Sequence, residues 1–280
     1  MMDTKPLAGV KVVDLTYYVA GPGSAKIVAD WGADVINKLE KRAAKLRRQD
    51  LGIDIGPFEI VQRGIDDNDW IDIWKQHFKP ITIDGIKIVP EWLSTAEESR
   101  SEESTKNILL NPGMAFGTGE HDTTKCCIRL LQKAELQGKT AIDLGCGSGI
   151  LGLTAAALGA DRVTMIDIDP LAVKAARYNV GINADAGLDV SYISTVEGDL
   201  FQKLDLKADV IVANLSSGLL ISAAKDIAAH LNGGGTLILS GIIEERLEGV
   251  LKAYRDVLGA DAVTEVLKSG EWAAFTARRL

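Results

Sequence analysis

The chain has 280 residues and a formal net charge of −8, from 31 Lys and Arg against 39 Asp and Glu. This acidic balance argues against non-specific binding to nucleic acid or to a membrane surface, since both usually need a basic face. At about 150 residues per domain, the length predicts nearly two domains. The 46% hydrophobic and 25% charged fractions are those of a globular protein with a sizeable core.

Neither a membrane span nor a metal site is expected. No apolar run approaches the roughly 18–20 residues that a membrane-spanning helix needs, and residues 1–6 lack the layout of a signal peptide. The cysteines Cys126, Cys127 and Cys146 form no C-x-x-C pair and have no histidine cluster near them. We therefore expect no disulfide framework and no zinc site, and we expect a soluble, cytoplasmic protein.

The amino-terminal part predicts short alternating elements. The last of them is rich in Lys and Arg, a composition that marks a solvated helix face more often than a docking patch for an acidic partner. The predicted strands are 10–15 and 33–36, and the predicted helices are 21–31 and 38–49.

Residues 67–80 predict a further helix that ends at Pro80. Trp70, Trp74 and Phe78 recur at i, i+4 and i+8 and therefore share one helical face. Such a stripe usually packs against other residues, and a tryptophan that faces the substrate is the minority alternative. Residues 94–105 are polar and acidic and predict a surface loop.

From Thr140 onward, apolar strands alternate with helices. This alternation predicts a parallel sheet with helices on both faces. The last two strands are separated by Lys268-Ser269-Gly270, a hairpin signal, so the α/β domain is predicted to end antiparallel. The predicted strands are 140–144, 162–166, 190–195, 208–213, 235–240, 262–267 and 271–277, and the predicted helices are 149–158, 170–182, 218–231 and 244–257.

The strongest local motif is A-I-D-L-G-C-G-S-G, residues 141–149, which follows a strand and opens a helix. Gly145 and Gly147 let the backbone turn sharply and approach a ligand closely. The dinucleotide fingerprint places Gly or Ala where this chain has Ile150. Asp143 stands just before the turn, where its carboxylate can meet a cationic amino-acid group. The motif favours a nucleoside ligand over a dinucleotide, with a tight turn that binds nothing as the alternative.

Polar residues follow the next strands, at the edge where open α/β sheets bind ligands. Asp167 can accept both hydroxyls of a ribose, which supports a nucleoside without distinguishing cofactor classes. Asp169 is predicted to cap the helix that starts at Pro170. Asp199 lies where an adenine amino group could be recognised. Asn214 is predicted to face the reacting centre, with a turn-forming role as its alternative.

A glycine-rich loop precedes all of these motifs: N-P-G-M-A-F-G-T-G-E-H-D-T-T, residues 111–124. Its glycines, Gly113, Gly117 and Gly119, predict a mobile loop. His121 is a candidate catalytic base, although a hydrogen bond that orders the loop is the favoured role. The residues that can fold over a bound ligand are Phe116, His121, Thr123 and Thr124.

Together these motifs resemble those of the class I methyltransferases that use S-adenosylmethionine: D-L-G-C-G-S-G, then D-I-D-P, then A-N-L, with a terminal hairpin. Two more specific segments, P-G-M-A-F-G-T-G-x-H-x-T-T and D-W-x-x-x-W-K-x-x-F-x-P, are similar to those of the ribosomal protein L11 methyltransferase family (PrmA). The resemblance runs from about residue 38 to residue 280. It implies a Rossmann-like seven-stranded sheet that ends in an antiparallel hairpin, preceded by a small α+β domain.

The same resemblance implies an enzyme that methylates amino groups, both α-amine and lysine, of the large-subunit ribosomal protein L11. Its cofactor is expected to be S-adenosylmethionine, and no metal, nucleic acid or membrane partner is expected. A methyltransferase acting on another protein or a small molecule, and a cofactor-binding module without transfer activity, are the alternatives. An NAD-dependent oxidoreductase is disfavoured by Ile150 and by the terminal hairpin.

The implied family contacts with the cofactor fall on Thr124, Gly145, Asp167 and Asn214. The residue patterns described above add Asp143, Gly147 and Asp199 to this set. Asn214 is also the expected catalytic residue, and Phe116, His121 and Thr123 are expected at the substrate or in a lid.

Residues 6–36 depart from that family and look like the start of a family III CoA-transferase. The later region that carries such an enzyme's catalytic aspartate has no counterpart here, so CoA transfer is not inferred. The chain therefore reads like a junction of two genes, which puts recognition of the ribosomal protein in question more than cofactor binding. The predicted domains are a small α+β domain over 1–64 (atypical over 1–37), a linker helix and loop over 65–105, and a catalytic domain over 106–280.

Overall fold

A computed structural model describes residues 78–94, 105–111, 117–202 and 204–279. All of them belong to one compact unit, residues 78–280. The elements predicted within residues 10–49 lie outside the described residues, as does most of the helix predicted over 67–80. Its last three residues, 78–80, are described and are not helical. Phe78 packs edge-on against Trp92, with ring centroids 6.3 Å apart, in agreement with a packing role.

A small three-stranded sheet opens the described chain. Its strands are β1 (Ile81–Ile83), β2 (Ile86–Pro90) and β3 (Lys106–Leu110), in the order β1-β2-β3. β1 and β2 form an antiparallel hairpin, and β2 and β3 are parallel. The predicted domain boundary between residues 105 and 106 stays a prediction, although this sheet joins strands from both sides of it.

The hairpin, β3 and a helix at Asp122–Lys133, α1, were not anticipated from the sequence. The hairpin has a readable signal, since Asp84-Gly85 stands between alternating apolar residues. Asp84 takes the positive φ of 51° that such a turn requires. Gln132 of α1 bonds both sides of the turn: its Oε1 accepts from Gly85 N at 2.9 Å, and its Nε2 donates to Ile83 O at 3.0 Å.

The larger sheet contains seven strands in the order β6-β5-β4-β7-β8-β10-β9. β4 to β8 run parallel, and β10 and β9 form the antiparallel end, as predicted. Chain order reverses between β4 and β7, which creates a switch point at their carboxyl ends. The strands are β4 (Thr140–Leu144), β5 (Arg162–Asp167), β6 (Ile193–Glu197), β7 (Ala208–Asn214), β8 (Leu231–Ile243), β9 (Val263–Ser269) and β10 (Trp272–Arg278).

Helices cover both faces of this sheet. Along β7, Val210 and Val212 face one hydrophobic cluster, and Ile211 and Ala213 face the other. The first cluster also holds α1 and the apolar side chains of the small sheet. This burial on both sides explains why the central strands are almost continuously apolar. The remaining helices are α2 (Ile150–Ala157), α3 (Pro170–Asp185), α4 (Ser217–Ser222), α5 (Ala224–Ala229) and α6 (Leu247–Leu258), and none in the described chain is long and apolar enough to cross a bilayer.

Several predicted boundaries were wrong for local reasons. The strand expected at 190–195 starts at Ile193, because Ser191 donates through both N and Oγ to Asp189 Oδ1 and forms a turn. The helix expected over 218–231 is two short helices with Ala223 between them, and Leu231 already belongs to β8. His230 ends α5, and its Nδ1 lies 2.8 Å from Asp226 O.

The strand expected at 235–240 runs from Leu231 to Ile243, because Leu231 pairs with Ala208 of β7 and β10 pairs from Thr236 to Ile243. A 3₁₀ turn over Glu244–Arg246 therefore delays the helix expected at 244–257, which begins at Leu247. The terminal hairpin is confirmed. Its turn is shorter than predicted, since Ser269 and Trp272 pair directly across Gly270 and Glu271.

At the opposite edge of the sheet, Asp209 of β7 ties three parallel strands together. Its Oδ2 accepts from Thr140 N at 2.9 Å and Thr140 Oγ1 at 2.8 Å, and its Oδ1 accepts from Asn232 Nδ2 at 2.9 Å. Burial raises the pKa of Asp209, but the bonds from Thr140 and Asn232 and the charge of Lys139 outweigh it and leave that pKa below its usual value.

We expect Asp209→Ala to lower the free energy of unfolding at pH 7 by about 1–3 kcal/mol, because three donors lose their acceptor. The wild type's advantage is present above about pH 4 and is lost as pH falls through the lowered pKa. Urea unfolding at pH 7 and below about pH 4 measures this difference in the free energy of unfolding. Asp205→Ala, which removes an exposed carboxylate on the preceding loop, is the matched control. An equal loss in that variant would contradict the assignment.

Candidate active site

The predicted glycine turn connects β4 to α2 and closes onto the end of β5. The amides of Gly145 and Cys146 both donate to Ile166 O, at 2.8 and 3.0 Å. Gly145 has a φ of 74°, and a Cβ there would lie 2.4 Å from Leu215 Cδ2. The positive φ favours glycine here, and a Cβ would also displace the Leu215 side chain, which follows β7. The turn thus lies at the switch point, with the amino terminus of α2 directly behind it.

Asp167 connects the end of β5 to that turn. Its Oδ2 accepts from Gly147 N at 2.8 Å, and its Oδ1 accepts from Asp169 N at 3.0 Å. Asp169 caps α3 by accepting from Leu171 N, ahead of Pro170 at the first helical position, so its predicted capping role is confirmed. Ile168, which was not predicted for the site, is 64% exposed beside Asp167 and offers an apolar surface to a planar group.

Asp143 is buried behind the turn. Its Oδ2 accepts from Gly152 N at 2.8 Å, whereas its Oδ1 has no hydrogen-bond partner in the described part of the chain. Burial raises the pKa of Asp143 to about 7; the Gly152 bond opposes this rise and the charge of Asp167 adds to it. An unsatisfied buried acceptor is costly. Asp143 is therefore suited to a cationic group that supplies the missing donor.

Asn214, at the end of β7, contacts the start of α1. Its Nδ2 lies 3.1 Å from Thr123 Oγ1 and 3.4 Å from Thr124 Oγ1, and both threonines are buried. Thr123 Oγ1 is in turn 2.8 Å from His121 Nδ1. Both contacts of Asn214 are made by its amide nitrogen, and its carbonyl oxygen takes no part in them.

His121 begins α1 as its cap, and its Nδ1 accepts from Thr123 N at 3.3 Å. This is the loop-ordering hydrogen bond that the sequence favoured over a catalytic base. Trp272, which was not predicted for the site, contacts the His121 ring edge-on with centroids 5.0 Å apart. As the first residue after the hairpin turn, it contacts the network of Asn214 and Thr123 at its His121 end.

Asp199 lies in the turn after β6, exposed, where its Oδ2 accepts from Gln202 Nε2 at 2.7 Å. Phe116 and Gly113 lie outside the described residues. The structure thus places the other predicted residues at the carboxyl ends of four neighbouring strands, β6, β5, β4 and β7, or at the start of α1.

The cysteines near this edge are buried. Burial raises the pKa of the Cys126, Cys127 and Cys146 thiols above their usual value. They remain protonated at neutral pH and make poor nucleophiles. Across the described ranges, no three His, Cys, Asp or Glu side chains are grouped so as to hold a metal ion.

Comparison with known proteins decides the family. The model of the family described as ribosomal protein L11 methyltransferase (PrmA) matches residues 24–280. This chain belongs to that family. The match starts earlier than residue 38, so the family resemblance extends further toward the amino terminus than the motifs indicated and overlaps residues 6–36. The likeness of those residues to a CoA-transferase stays a prediction.

Named relatives support the assignment. The chain is 41% identical over 231 residues to the ribosomal protein L11 methyltransferase of Clostridium botulinum (strain Eklund 17B), covering 82% of this chain and 70% of the relative. It is 37% identical over 254 residues to that of Thermoanaerobacter pseudethanolicus, covering 90% and 78%. The crystal structure of the ribosomal protein L11 methylase from Lactobacillus delbrueckii subsp. bulgaricus superposes with a TM-score of 0.63 at 29% identity, covering 72% of this chain and 100% of that one.

A raised carboxyl pKa implies that Asp143 destabilises the free methyltransferase increasingly as pH rises toward neutrality. The unfolded chain ionises this group near pH 4 and the folded chain near pH 7, so stability falls as pH rises between those values. We expect the Asp143→Asn variant to gain about 2–3 kcal/mol relative to wild type between about pH 5 and pH 8. Urea unfolding across that range measures the gain. Asp161→Asn, which changes an exposed carboxylate, should show no such trend, and a pH-independent difference for Asp143→Asn would refute the assignment.

Proposed function

We propose that this methyltransferase transfers methyl groups from S-adenosylmethionine to the α-amino and lysine amino groups of ribosomal protein L11, in the cytoplasm. One juxtaposition carries the proposal. The carboxylates of Asp143 and Asp167 and the amide of Asn214 lie at the ends of three adjacent strands around one switch point. The first two suit a cationic nucleoside, and the third suits an amine.

The donor side fits S-adenosylmethionine residue by residue. Asp143 has an unsatisfied buried oxygen for the ammonium of the methionine part. Each oxygen of Asp167 already accepts one backbone N–H and keeps a lone pair for a ribose hydroxyl. Ile168 offers an apolar face for adenine, and Asp199 an acceptor for its amino group. When bound, the cofactor supplies an electrophilic methyl group on a positively charged sulfur.

On the acceptor side, the protonation state of the amine decides its reactivity. An α-amine, with a reference pKa of about 7.7–8.0, is partly uncharged near neutrality, whereas a lysine near 10.4 is almost wholly protonated. Desolvation against Trp272 and the buried start of α1 would lower the pKa of a lysine and expose its lone pair. Asn214 Oδ1 can accept a hydrogen bond from the uncharged amine and aim that lone pair, because Thr123 and Thr124 fix the amide.

The direct test is mass spectrometry of purified, unmethylated ribosomal protein L11 after incubation with the full chain and S-adenosylmethionine. We expect mass increments of whole methyl groups on the amino-terminal amine and on lysines. A parallel reaction with an amino-terminally acetylated substrate separates the two sites. Cofactor binding without transfer to this substrate would point to another acceptor, and absence of cofactor binding would overturn the proposal.

Asp167→Ala should weaken S-adenosylmethionine binding by about 1–3 kcal/mol, because the ribose hydroxyls and Gly147 N lose their acceptor. Isothermal titration calorimetry measures the change. Asp167→Asn keeps an acceptor for Gly147 N and should fall between wild type and the alanine variant. The matched control is Asp169→Ala, which removes only the cap of α3. An unchanged affinity for Asp167→Ala would exclude Asp167 from the site.

For Asn214→Ala, we expect turnover to fall by about tenfold to a hundredfold, with a much smaller change in cofactor affinity. The physical reason is that Asn214 orients the acceptor amine rather than the donor. Steady-state kinetics at saturating cofactor, paired with calorimetry, separates the two effects. Thr123→Val, which removes one hydroxyl that holds the amide, should show a milder version of the same pattern. An equal loss of turnover and affinity would make Asn214 a binding residue only.

A further inference from the structure

Two asparagines on α3 bond backbone groups at the carboxyl end of β3. Asn183 Oδ1 accepts from Leu109 N at 2.9 Å, and its Nδ2 donates to Leu109 O at 2.7 Å. One helical turn earlier, Asn179 Oδ1 accepts from Asn111 N at 2.8 Å. Both side chains are buried. They satisfy the open edge of β3 much as another strand would.

Asn179 makes one contact that Asn183 does not. Its Nδ2 donates to Ser148 O, within the glycine turn, at 2.8 Å. The fully buried hydroxyl of Ser148 then donates to Gly117 O at 2.7 Å. Asn111 and Gly117 are thereby both held by the directly bonded pair of Asn179 and Ser148. We call these four residues the Asn179–Ser148 clamp.

The clamp spans the two halves of the candidate site. Ser148 belongs to the turn on the donor side, which Asp167 holds through Gly147. Gly117 begins the short segment that leads into α1, whose Thr123 and Thr124 hold Asn214 on the acceptor side. The fit at Gly117 is close, since it has a φ of 103° and a Cβ there would lie 3.0 Å from Ser148 Oγ.

We propose that Asn179 and Ser148 are positioning residues for methyl transfer, which set the distance between the donor-binding turn and the acceptor-binding start of α1. This inference rests on the proposed function. Neither side chain needs to touch cofactor or acceptor, because the effect passes through the backbone carbonyls of Ser148 and Gly117. Misplacement of bound groups by about 1 Å can lower the rate about a hundredfold. A small shift of Gly117, passed on to the start of α1, is therefore sufficient to slow methyl transfer.

The test compares Asn179→Ala, Asn179→Asp and Ser148→Ala with Asn183→Ala as the matched control. The control removes a buried asparagine from the same face of α3, with bonds to β3 and to the backbone carbonyl of Asn179 but none to the glycine turn. Asn179→Asp keeps an acceptor for Asn111 N but replaces the amide donor to Ser148 O with an oxygen. It therefore breaks only the bond to the glycine turn. If the alanine variant of Asn179 fails to fold, the aspartate and Ser148 variants carry the test.

At saturating cofactor and ribosomal protein, we expect kcat to fall by at least about tenfold in the Asn179 and Ser148 variants and by less than about twofold in Asn183→Ala. Hydrogen exchange of the free protein supplies a readout that does not depend on activity. Residues 117–121 should exchange faster in the Asn179 and Ser148 variants than in the control, at comparable loss of thermal stability in all four.

Equal losses of kcat in all four variants, or none in any, would overturn the positioning role. If the wild-type chain transfers no methyl group, the proposed function fails. Hydrogen exchange and the affinity for S-adenosylhomocysteine then test the positioning role of the clamp independently of methyl transfer. Faster exchange at 117–121 and weaker binding confined to the Asn179 and Ser148 variants would support it, and indistinguishable behaviour of the control would reject it.

Discussion

The site depends on the reversal of chain order between β4 and β7. Parallel strands place their carboxyl ends at one edge of the sheet, and the connections from neighbouring strands diverge where the order reverses. On one side of the crevice that forms there, the glycine turn is bonded to β5, since the amides of Gly145 and Cys146 both donate to the carbonyl of Ile166. With the turn held against β5 in this way, the carboxylates of Asp143 and Asp167 lie on one side of the opening and the amide of Asn214 on the other.

The buried carboxyl group at this edge lowers the stability of the free protein, a cost that the proposed cationic ligand would offset. Asp143 is buried with one oxygen unsatisfied, and its pKa is raised to about 7 because burial disfavours its charge. A protein selected for stability alone would place an apolar residue there. At the other edge of the same sheet, Asp209 has every oxygen bonded and a lowered pKa. Two aspartates on adjacent strands thus differ in hydrogen bonding and in the direction of their pKa shift.

The sequence predicts the larger sheet well because its signals are local. β4, β5 and β7 are buried on both faces and read as short apolar runs, and Gly270 marks the terminal hairpin. The errors arose where side chains bond nearby backbone, as Asp189 does with Ser191 before β6. The small sheet was not predicted, although Asp84-Gly85 between alternating apolar residues is a hairpin signal. Its third strand, β3, pairs in parallel with β2 and has no turn signal that connects it to the hairpin.

The positions of the candidate site residues were predictable only where the residue type and its place after a strand are sufficient information. Asp167 and Asn214 meet that condition, since any polar residue at those strand ends lies near the switch point. Ser148 and Asn179 do not, because their mutual bond joins residues 31 positions apart and one partner is a backbone carbonyl. A buried asparagine in mid-helix has no signature of its own in a single sequence. The proposed role of Asn179 depends on the backbone groups that the fold places next to it, at the edge of β3 on one side and in the glycine turn on the other.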